Sequence, residues 1–168
     1  AMVYLKNYLV IPLLLAFLPL LAKAQNDGWQ LVWSEEFDTE GRLSPSVWNY
    51  EQGYARNEEA QWYQPDNAVC KGGSLIIEAR KEHGRPNPLY VPGSNDWRKK
   101  REFIEYTSSS VTTAGKKEFL YGRFEVRARI PVAKGAWPAI WLLGSHMEWP
   151  SCGEIDMMEY YHIKGIPH

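Results

Sequence analysis

The sequence predicts an all-β domain built as a sandwich of antiparallel sheets. Short strand-like segments are separated by Gly, Pro, Asn and Asp, which is the usual punctuation of an all-β fold. Residues 122–130 alternate apolar and charged side chains, as in a strand with one face in the core. No long amphipathic helical pattern is present. These three observations favour two packed sheets.

The first 24 residues predict a signal peptide rather than part of the fold. An apolar run over residues 9–21 follows Lys6 and precedes Ala22-Lys23-Ala24, which is an A-x-A cleavage pattern. The run is shorter than the roughly 20 apolar residues that span a bilayer comfortably. A retained anchor is therefore the weaker alternative. We expect export to the periplasm or the medium, no membrane association after cleavage, and one domain over residues 25–168.

The predicted strands follow one another from Trp29 to the end of the chain. They cover residues 30–34, 74–80, 108–113, 122–130, 139–143 and 154–161. Lys71-Gly72-Gly73 predicts the turn before the second of them. Residues 86–101 are rich in Pro, Asn, Gly and basic side chains, which indicates a long surface loop.

The composition narrows the class of partner. A formal net charge of −1 argues against nucleic acid or an anionic membrane. Eight Trp and ten Tyr in an exported protein suit carbohydrate, because sugar rings present flat faces to indoles. We expect a monomer that binds a polysaccharide. Cys70 and Cys152 either form one disulfide or remain two buried thiols, and their spacing leaves both open.

The last predicted strand carries an unusual density of acid. Glu154, Asp156 and Glu159 lie within six residues of an otherwise apolar run, although each carboxylate raises the cost of ionising its neighbours. Glycosidic bond cleavage needs one ionised and one protonated carboxyl group. The flanking apolar residues disfavour the alternative of a solvated edge strand. The pattern therefore predicts a sugar-cleaving enzyme.

The spacing of these acids predicts a β-bulge. On a regular strand Glu154 and Asp156 share one face, while Glu159 points to the other. One extra residue near Met157-Met158 would bring Glu159 round beside the other two acids. Four strand steps separate the glutamate backbones by about 13 Å, whereas retaining glycosidases hold their carboxyl groups about 5–5.5 Å apart. A concave sheet is therefore expected as well.

Four segments resemble glycoside hydrolase family 16. Residues 154–159 are similar to its signature E-[ILV]-D-x-x-E in the bulged form, and residues 137–144 to its segment W-P-A-x-W-x-L-G. Residues 121–131 resemble its Y-G-R-x-E-x-R-x-K-x-P strand. Residues 57–63 are similar to the N-x-E-x-Q-x-Y stretch of laminarinase-like members. The resemblance runs from about Trp29 to the end of the chain.

The resemblance implies a concanavalin A-like jelly-roll sandwich and endo-hydrolysis of a β-linked glucan with retention. By position, Glu154 is then the nucleophile, Asp156 its hydrogen-bonded helper and Glu159 the acid/base. The laminarinase-like pattern implies β-1,3-glucan or mixed β-1,3/1,4-glucan as substrate. Agar- and porphyran-cleaving members share the core motif, so a galactan is the alternative. A non-catalytic glucan-binding module is the alternative from another class, although such relatives typically lose a glutamate.

Two departures from the family pattern stand out. Many laminarinase-like members carry an Arg where this chain has Ser110. The family's domain also usually continues well beyond the catalytic strand, whereas this chain ends nine residues after Glu159. We therefore expect the sandwich to be incomplete at its C-terminus. An inactive fragment is the corresponding alternative.

Four further residues are candidates for substrate binding. Trp137 and Trp141 could stack on sugar rings or simply fill the core. Trp149 could cover the cleft or be an ordinary loop aromatic. Asn57 could bond sugar hydroxyls, although polar loop residues are usually solvated or turn-forming.

No cofactor is expected. The four His residues lack metal-ligand spacing, so we expect no catalytic metal. No phosphate-binding loop and no nucleophile elbow occur. Some family members bind a structural Ca²⁺, to which Glu35, Glu36 and Asp38 could contribute. A surface charge cluster is the favoured interpretation of these three acids.

Overall fold

The computed structural model describes residues 2–6, 28–163 and 166–167. Residues 7–24 of the predicted signal peptide, with the cleavage pattern, lie outside these ranges. The described part is all-β, as predicted, and its one helical element is the 3₁₀ turn Pro65–Asn67. No helix within the described ranges is long and apolar enough to cross a membrane.

The described residues form strands that are mostly short. They are β1 (Met2–Lys6), β2 (Trp29–Ser34), β3 (Asn49–Tyr50), β4 (Gln61–Tyr63), β5 (Ala68–Cys70), β6 (Leu75–Ile77), β7 (Arg80–Pro86), β8 (Phe103–Ser108), β9 (Val111–Thr112), β10 (Arg123–Glu125), β11 (Ala139–Leu143), β12 (Glu154–Glu159), β13 (His162–Ile163) and β14 (Ile166–Pro167).

The chain divides into two compact units, and the first combines residues 1–35 with 119–168. In this unit β1 lies between β10 and β2 and is antiparallel to both, with Val3 only 1% exposed. The strand pairs β11–β12 and β13–β14 complete the unit. Because β1 belongs to the predicted signal peptide, cleavage after Ala24 would remove the strand between β10 and β2.

The second unit comprises residues 36–118. It contains the antiparallel pairs β3–β9 and β5–β6, and a three-stranded sheet in the order β4-β8-β7. In that sheet β7 is antiparallel to β8, but β4 is parallel to it. The expectation of purely antiparallel sheets is therefore wrong at this one pair. Strands β4 and β8 are separated by β5, β6 and β7, so a long connection permits the parallel arrangement.

A buried polar network lies in the core of the second unit. Asn67 donates from Nδ2 to the carbonyl oxygen of Glu78 at 2.8 Å and to Oγ1 of Thr107 at 3.0 Å. Thr107 in turn donates to Glu82 at 2.6 Å. Ile104, from the same strand as Thr107, is also fully buried. The polar groups are paired, so their burial costs little.

The predicted surface loop is confirmed as the connection between β7 and β8. Asn87 organises it, because its Nδ2 donates to the carbonyl oxygens of Arg98 at 2.9 Å and Arg101 at 2.8 Å. Its Oδ1 accepts the backbone N–H of Leu89 at 2.9 Å. One buried amide thus replaces the ladder hydrogen bonds that a loop lacks.

Several predicted strand boundaries are wrong. The strand expected over residues 122–130 is only Arg123–Glu125, because β10 pairs with β1 through three residues and has no further partner among the described strands. The strand expected over 154–161 ends at Glu159. The strand expected over 108–113 divides at 109–110, where the chain leaves β8 and pairs with β3 instead. The strand expected over 74–80 is only Leu75–Ile77, with Arg80 opening β7.

Neither cysteine is in a disulfide. Cys70 is buried in β5, and Cys152 is partly exposed. Of the two alternatives that the sequence left open, the structure therefore has free thiols.

Candidate active site

The acidic strand β12 pairs antiparallel with β11 and contains a bulge. Ile140 lies opposite Met158, yet the next residue, Trp141, lies opposite Asp156. Met157 is therefore the extra residue, without a partner across the ladder. The bulge predicted near Met157-Met158 is confirmed.

This register places the three acids on one face. Glu154, Asp156 and Glu159 lie opposite Leu143, Trp141 and Ala139, in that order. The last three are alternate residues of a regular strand and so share a face. Their partners share it too, which brings Glu159 to the side of Glu154 and Asp156.

The opposite face of the hairpin is apolar. Ile155 lies opposite Leu142, and Met158 lies opposite Ile140. Ile155 is 65% exposed within the described residues, and all three acids are exposed as well. The bulge therefore separates the strand into an acidic face and an apolar face, although sequence alternation alone would mix them.

The connection between β11 and β12 is tight. The N–H of Gly144 donates to the carbonyl oxygen of Gly153 at 3.4 Å, and a Cβ at Gly144 would lie 2.3 Å from the carbonyl oxygen of Cys152. Only glycine permits this approach of two backbones. The N–H of Cys152 bonds the carbonyl of Glu148 at 3.1 Å, which closes a turn around Trp149.

Two indole nitrogens each donate to one of the two glutamates. Nε1 of Trp149 lies 2.8 Å from Oε2 of Glu154. Nε1 of Trp137 lies 2.9 Å from Oε1 of Glu159. Both distances are those of good N–H···O hydrogen bonds. The sequence predicted ring stacking for Trp137 and, as one alternative, a cover over the cleft for Trp149, and nothing in the motif spacing indicated the nitrogen contacts.

Further aromatic residues lie on or beside the hairpin. Trp141 is half-buried opposite Asp156. The Trp137 ring lies 5.6 Å from that of Tyr161, measured between centroids. The hydroxyl of Tyr160 donates to the carbonyl oxygen of Val132 at 3.2 Å. The backbone N–H of Tyr160 donates to the carbonyl oxygen of Pro138 at 3.1 Å. The segment that leads into β11 is thus tied to the end of β12.

Asn57 belongs to the second unit, in a polar loop. It has a left-handed backbone (φ 53°) and is exposed, and its Nδ2 lies 3.4 Å from Oε1 of Glu59. Oε2 of Glu59 accepts from Gln61 at 2.6 Å and from the hydroxyl of Tyr63 at 3.1 Å. Burial, and then the charge of Glu59, raise the pKa of Tyr63 to about 12.

Ser110 bonds a carboxylate of its own unit. Its hydroxyl donates to Glu51, which also forms an ion pair with Arg56. Burial by itself would lower the pKa of Arg56, but the hydrogen bond and charge of Glu51 outweigh it and raise the pKa. Ser110 therefore extends a hydrogen-bonded ion pair at the position where many family members carry Arg.

No metal site is evident in the part of the chain that the structure describes. No three His, Cys, Asp or Glu side chains in those ranges are grouped to hold an ion.

Comparison with known proteins places this arrangement in context. Residues 55–162 match the model of the family described as glycosyl hydrolases family 16. A β-glucanase of Rhodothermus marinus is 42% identical over 144 residues, which cover 79% of this chain and 44% of that protein. The chain thus spans about half the length of such relatives or less.

Solved structures agree with this result. The laminarinase of Flavobacterium sp. UMI-01 is similar with a TM-score of 0.62 and 38% identity, covering 78% of this chain and 52% of that one. A structure from work on endo-acting O-glycanases, with which members of the human gut microbiota initiate mucin breakdown, has a TM-score of 0.69 and 44% identity. It covers 80% of this chain and 49% of that one. The predicted fold class is confirmed by these likenesses.

Proposed function

Since the chain belongs to glycosyl hydrolase family 16, we propose that it cleaves internal bonds of a β-linked polysaccharide with retention of configuration. The observation that carries the proposal is the bulge at Met157, which brings Glu159 to the face of Glu154 and Asp156. Without this bulge the two glutamates would point to opposite sides of the sheet. A retaining mechanism needs both on the side of the substrate.

The mechanism assigned to these residues is double displacement. The carboxylate of Glu154 attacks the anomeric carbon while the glycosidic C–O bond breaks, and the departing oxygen takes the proton of Glu159. The product of this step is a glycosyl ester on Glu154. Glu159, now ionised, then takes a proton from water, whose oxygen attacks the anomeric carbon and releases Glu154. An acceptor sugar in place of water gives transglycosylation.

Asp156 is assigned the role of helper to Glu154. It lies between the two glutamates in sequence and shares their face, opposite Trp141. A carboxyl group at this position can hold a proton or a hydrogen bond against Glu154 and so fix its orientation. Trp137, Trp141, Trp149 and Asn57 remain the proposed substrate-binding residues.

The favoured substrate is β-1,3-glucan or mixed β-1,3/1,4-glucan. The β-glucanase and the laminarinase among the similar proteins support this choice. The likeness to a structure from work on endo-acting O-glycanases supports a second candidate, the O-glycans of mucin, beside agar and porphyran. The acids on the hairpin serve either substrate, because they act on the anomeric centre and not on the ring hydroxyls.

Reducing-sugar release from laminarin, lichenan, agarose, porphyran and mucin tests both candidates. We expect release from laminarin or lichenan, a rapid fall in polymer length, and products that first appear as the β-anomer. The matched control is Glu154→Ser, which keeps the surface but lacks the nucleophile. Binding without release of reducing ends from any polymer would instead establish a non-catalytic module.

Export and a monomeric state are also part of the proposal. The apolar run and the A-x-A pattern support export. Mass spectrometry of protein recovered from the medium or periplasm is expected to give an N-terminus at Gln25, and sedimentation a monomer mass. Recovery with residues 1–24 intact would contradict the signal peptide and would favour the role of β1 in the fold.

A further inference from the structure

We infer that Trp149 and Trp137 are positioning residues that each hold one carboxylate, Trp149 the nucleophile Glu154 and Trp137 the acid/base Glu159. The inference rests on the proposed retaining mechanism and adds a division of labour within it. Each indole then affects a different chemical step. This separates the inference from a general role of the rings in stacking or packing.

The hydrogen bonds carry the first part of the argument. An indole N–H can only donate, so it matches an acceptor oxygen of a carboxylate. Trp149 bonds Oε2 of Glu154 at 2.8 Å, which leaves Oε1 to attack the anomeric carbon. Trp137 bonds Oε1 of Glu159 at 2.9 Å, which leaves Oε2 to carry the transferred proton. Each bond therefore distinguishes the two oxygens of its glutamate.

The surroundings of each indole show that the donors are fixed. Trp149 lies in the connection between β11 and β12, which is closed by the Cys152-to-Glu148 and Gly153-to-Pro150 backbone bonds, both 3.1 Å. The ring of Trp137 lies against that of Tyr161. Long glutamate side chains are otherwise free to rotate on an exposed strand, so a donor on a constrained segment restricts their orientation.

Exposure separates this role from core packing. Trp137 and Trp149 are 56% and 65% exposed within the described residues, so neither side chain is packed in the core of this unit. Their nitrogens face the carboxylates while much of each ring remains accessible. A sugar can therefore still stack on a ring face without displacing the hydrogen bond.

The two glutamates act differently on activated substrates. Glu154 must form the covalent intermediate whatever the leaving group is. Glu159 is needed as an acid only when the leaving group requires a proton. A 2,4-dinitrophenyl group departs without protonation, whereas a phenyl group needs it. The ratio of kcat/KM for these two leaving groups therefore reports which carboxylate has been disturbed.

The experiment compares Trp149→Phe and Trp137→Phe in the full chain, with the 2,4-dinitrophenyl and phenyl β-glycosides of β-1,3-linked diglucose. Phenylalanine keeps an aromatic ring and removes the donor. Trp149→Phe is expected to lower kcat/KM for both substrates by about ten- to a hundred-fold, the effect of losing a hydrogen bond to a charged group. Trp137→Phe is expected to lower kcat/KM by a similar factor for the phenyl substrate and by much less for the dinitrophenyl substrate.

Azide gives a second readout, because this small anion attacks the glycosyl intermediate without a general base. It is expected to raise kcat of Trp137→Phe on the dinitrophenyl substrate and to leave that of Trp149→Phe unaffected. Trp33→Phe, on β2 and packed against Phe119 at 5.7 Å, is the matched control and should keep the wild-type substrate ratio. The ratio does not depend on how much of a variant is folded.

If kcat/KM fell equally for both substrates in both variants, through a rise in KM and without an azide effect, the two rings would act by stacking or packing. That result would overturn the inference. In that outcome the wild-type chain still hydrolyses both glycosides, so the proposed function stands. Failure of the wild-type chain to release either phenol, together with no reducing-sugar release from any of the five polymers, would instead remove the proposed function, and the inference with it.

Discussion

Nε1 of Trp149 lies 2.8 Å from Oε2 of Glu154, the residue that opens the acidic strand. The two residues are five positions apart, and the turn before Gly153 brings the ring edge back to the start of β12. The carboxylate proposed as the nucleophile thus has a hydrogen-bond donor on a neighbouring segment.

Replacing the proposed nucleophile should abolish hydrolysis and leave the fold intact. Glu154→Ser is expected to lower kcat on soluble β-glucan by at least about 10⁴-fold, because the covalent step is lost. Glu154 is exposed, so its removal leaves no buried partner. Reducing-sugar assays and circular dichroism measure the two effects. Glu148→Gln, on the same connection, serves as the control, and turnover above a trace in Glu154→Ser would refute the assignment.

Deleting Met157 should remove the bulge and still leave the two glutamates on one face. With one residue fewer, Glu154, Asp156 and Glu159 become alternate residues of a regular strand opposite Leu143, Trp141 and Ala139. Deleting both Met157 and Met158 should instead turn Glu159 to the face opposite Glu154, because three strand steps then separate the two glutamates. Hydrolysis, measured as reducing-sugar release, is expected to fall by about 10²-fold or more in the double deletion, the usual contribution of a general acid/base, and much less in the single deletion. A double-deletion variant as active as the single-deletion variant would show that the shared face is dispensable.

Adding a methyl group at Gly144 should destabilise the hairpin. The new Cβ would lie 2.3 Å from the carbonyl oxygen of Cys152, which is backbone and cannot rotate away. We expect Gly144→Ala to lower the free energy of unfolding by about 3 kcal/mol, measured from urea denaturation. Gly135→Ala has open space around its Cβ and only a left-handed backbone (φ 86°), so about 1 kcal/mol is expected there. Equal losses in the two variants would contradict the close approach.

Tyr63 should make stability depend on pH in the alkaline range. Burial raises its pKa to about 12 from the ordinary tyrosine value of 10.0. Between these values the unfolded chain loses the proton that the folded chain keeps, so the unfolded state is favoured as pH rises. The contribution of Tyr63 is therefore complete below about pH 10 and is lost on the way to about pH 12.

Unfolding midpoints in urea across this pH range, with Tyr63→Phe as the matched control, measure the contribution. The control should show a shallower decline with pH. Its 295 nm absorbance titration should also lack the highest-pH tyrosine. Identical pH profiles in the two proteins would mean that Tyr63 titrates normally.

Local patterns were sufficient to predict the centre of the site. The bounds of β11 and the bulge follow from a few neighbouring residues, because side chains alternate along a strand and three acids cannot share a face at the spacing of residues 154–159 without an insertion. The all-β class follows in the same way, from short strands and frequent turn residues. These features depend on sequence neighbours alone.

Features that depend on distant parts of the chain required the tertiary structure. Strand β7 reads as a charged segment, Arg80–Pro86, and becomes a strand because β8 offers it a hydrogen-bonding edge. Strand β10 pairs with β1 only from Arg123 to Glu125, although the alternation of residues continues beyond Glu125. Strand pairing depends on both segments, so the alternation of apolar and charged residues in one segment does not determine how long its strand is.

Residue spacing along the chain was sufficient to indicate which acids lie together on β12, since strand side chains alternate with a period of two. The groups that hydrogen-bond those acids became visible in the folded structure alone. The nitrogen contacts of Trp137 and Trp149 arise from where the turn and the segment before β11 place two ring edges. Hydrogen bonds need a donor within about 3 Å and in line, a condition that residue spacing does not encode.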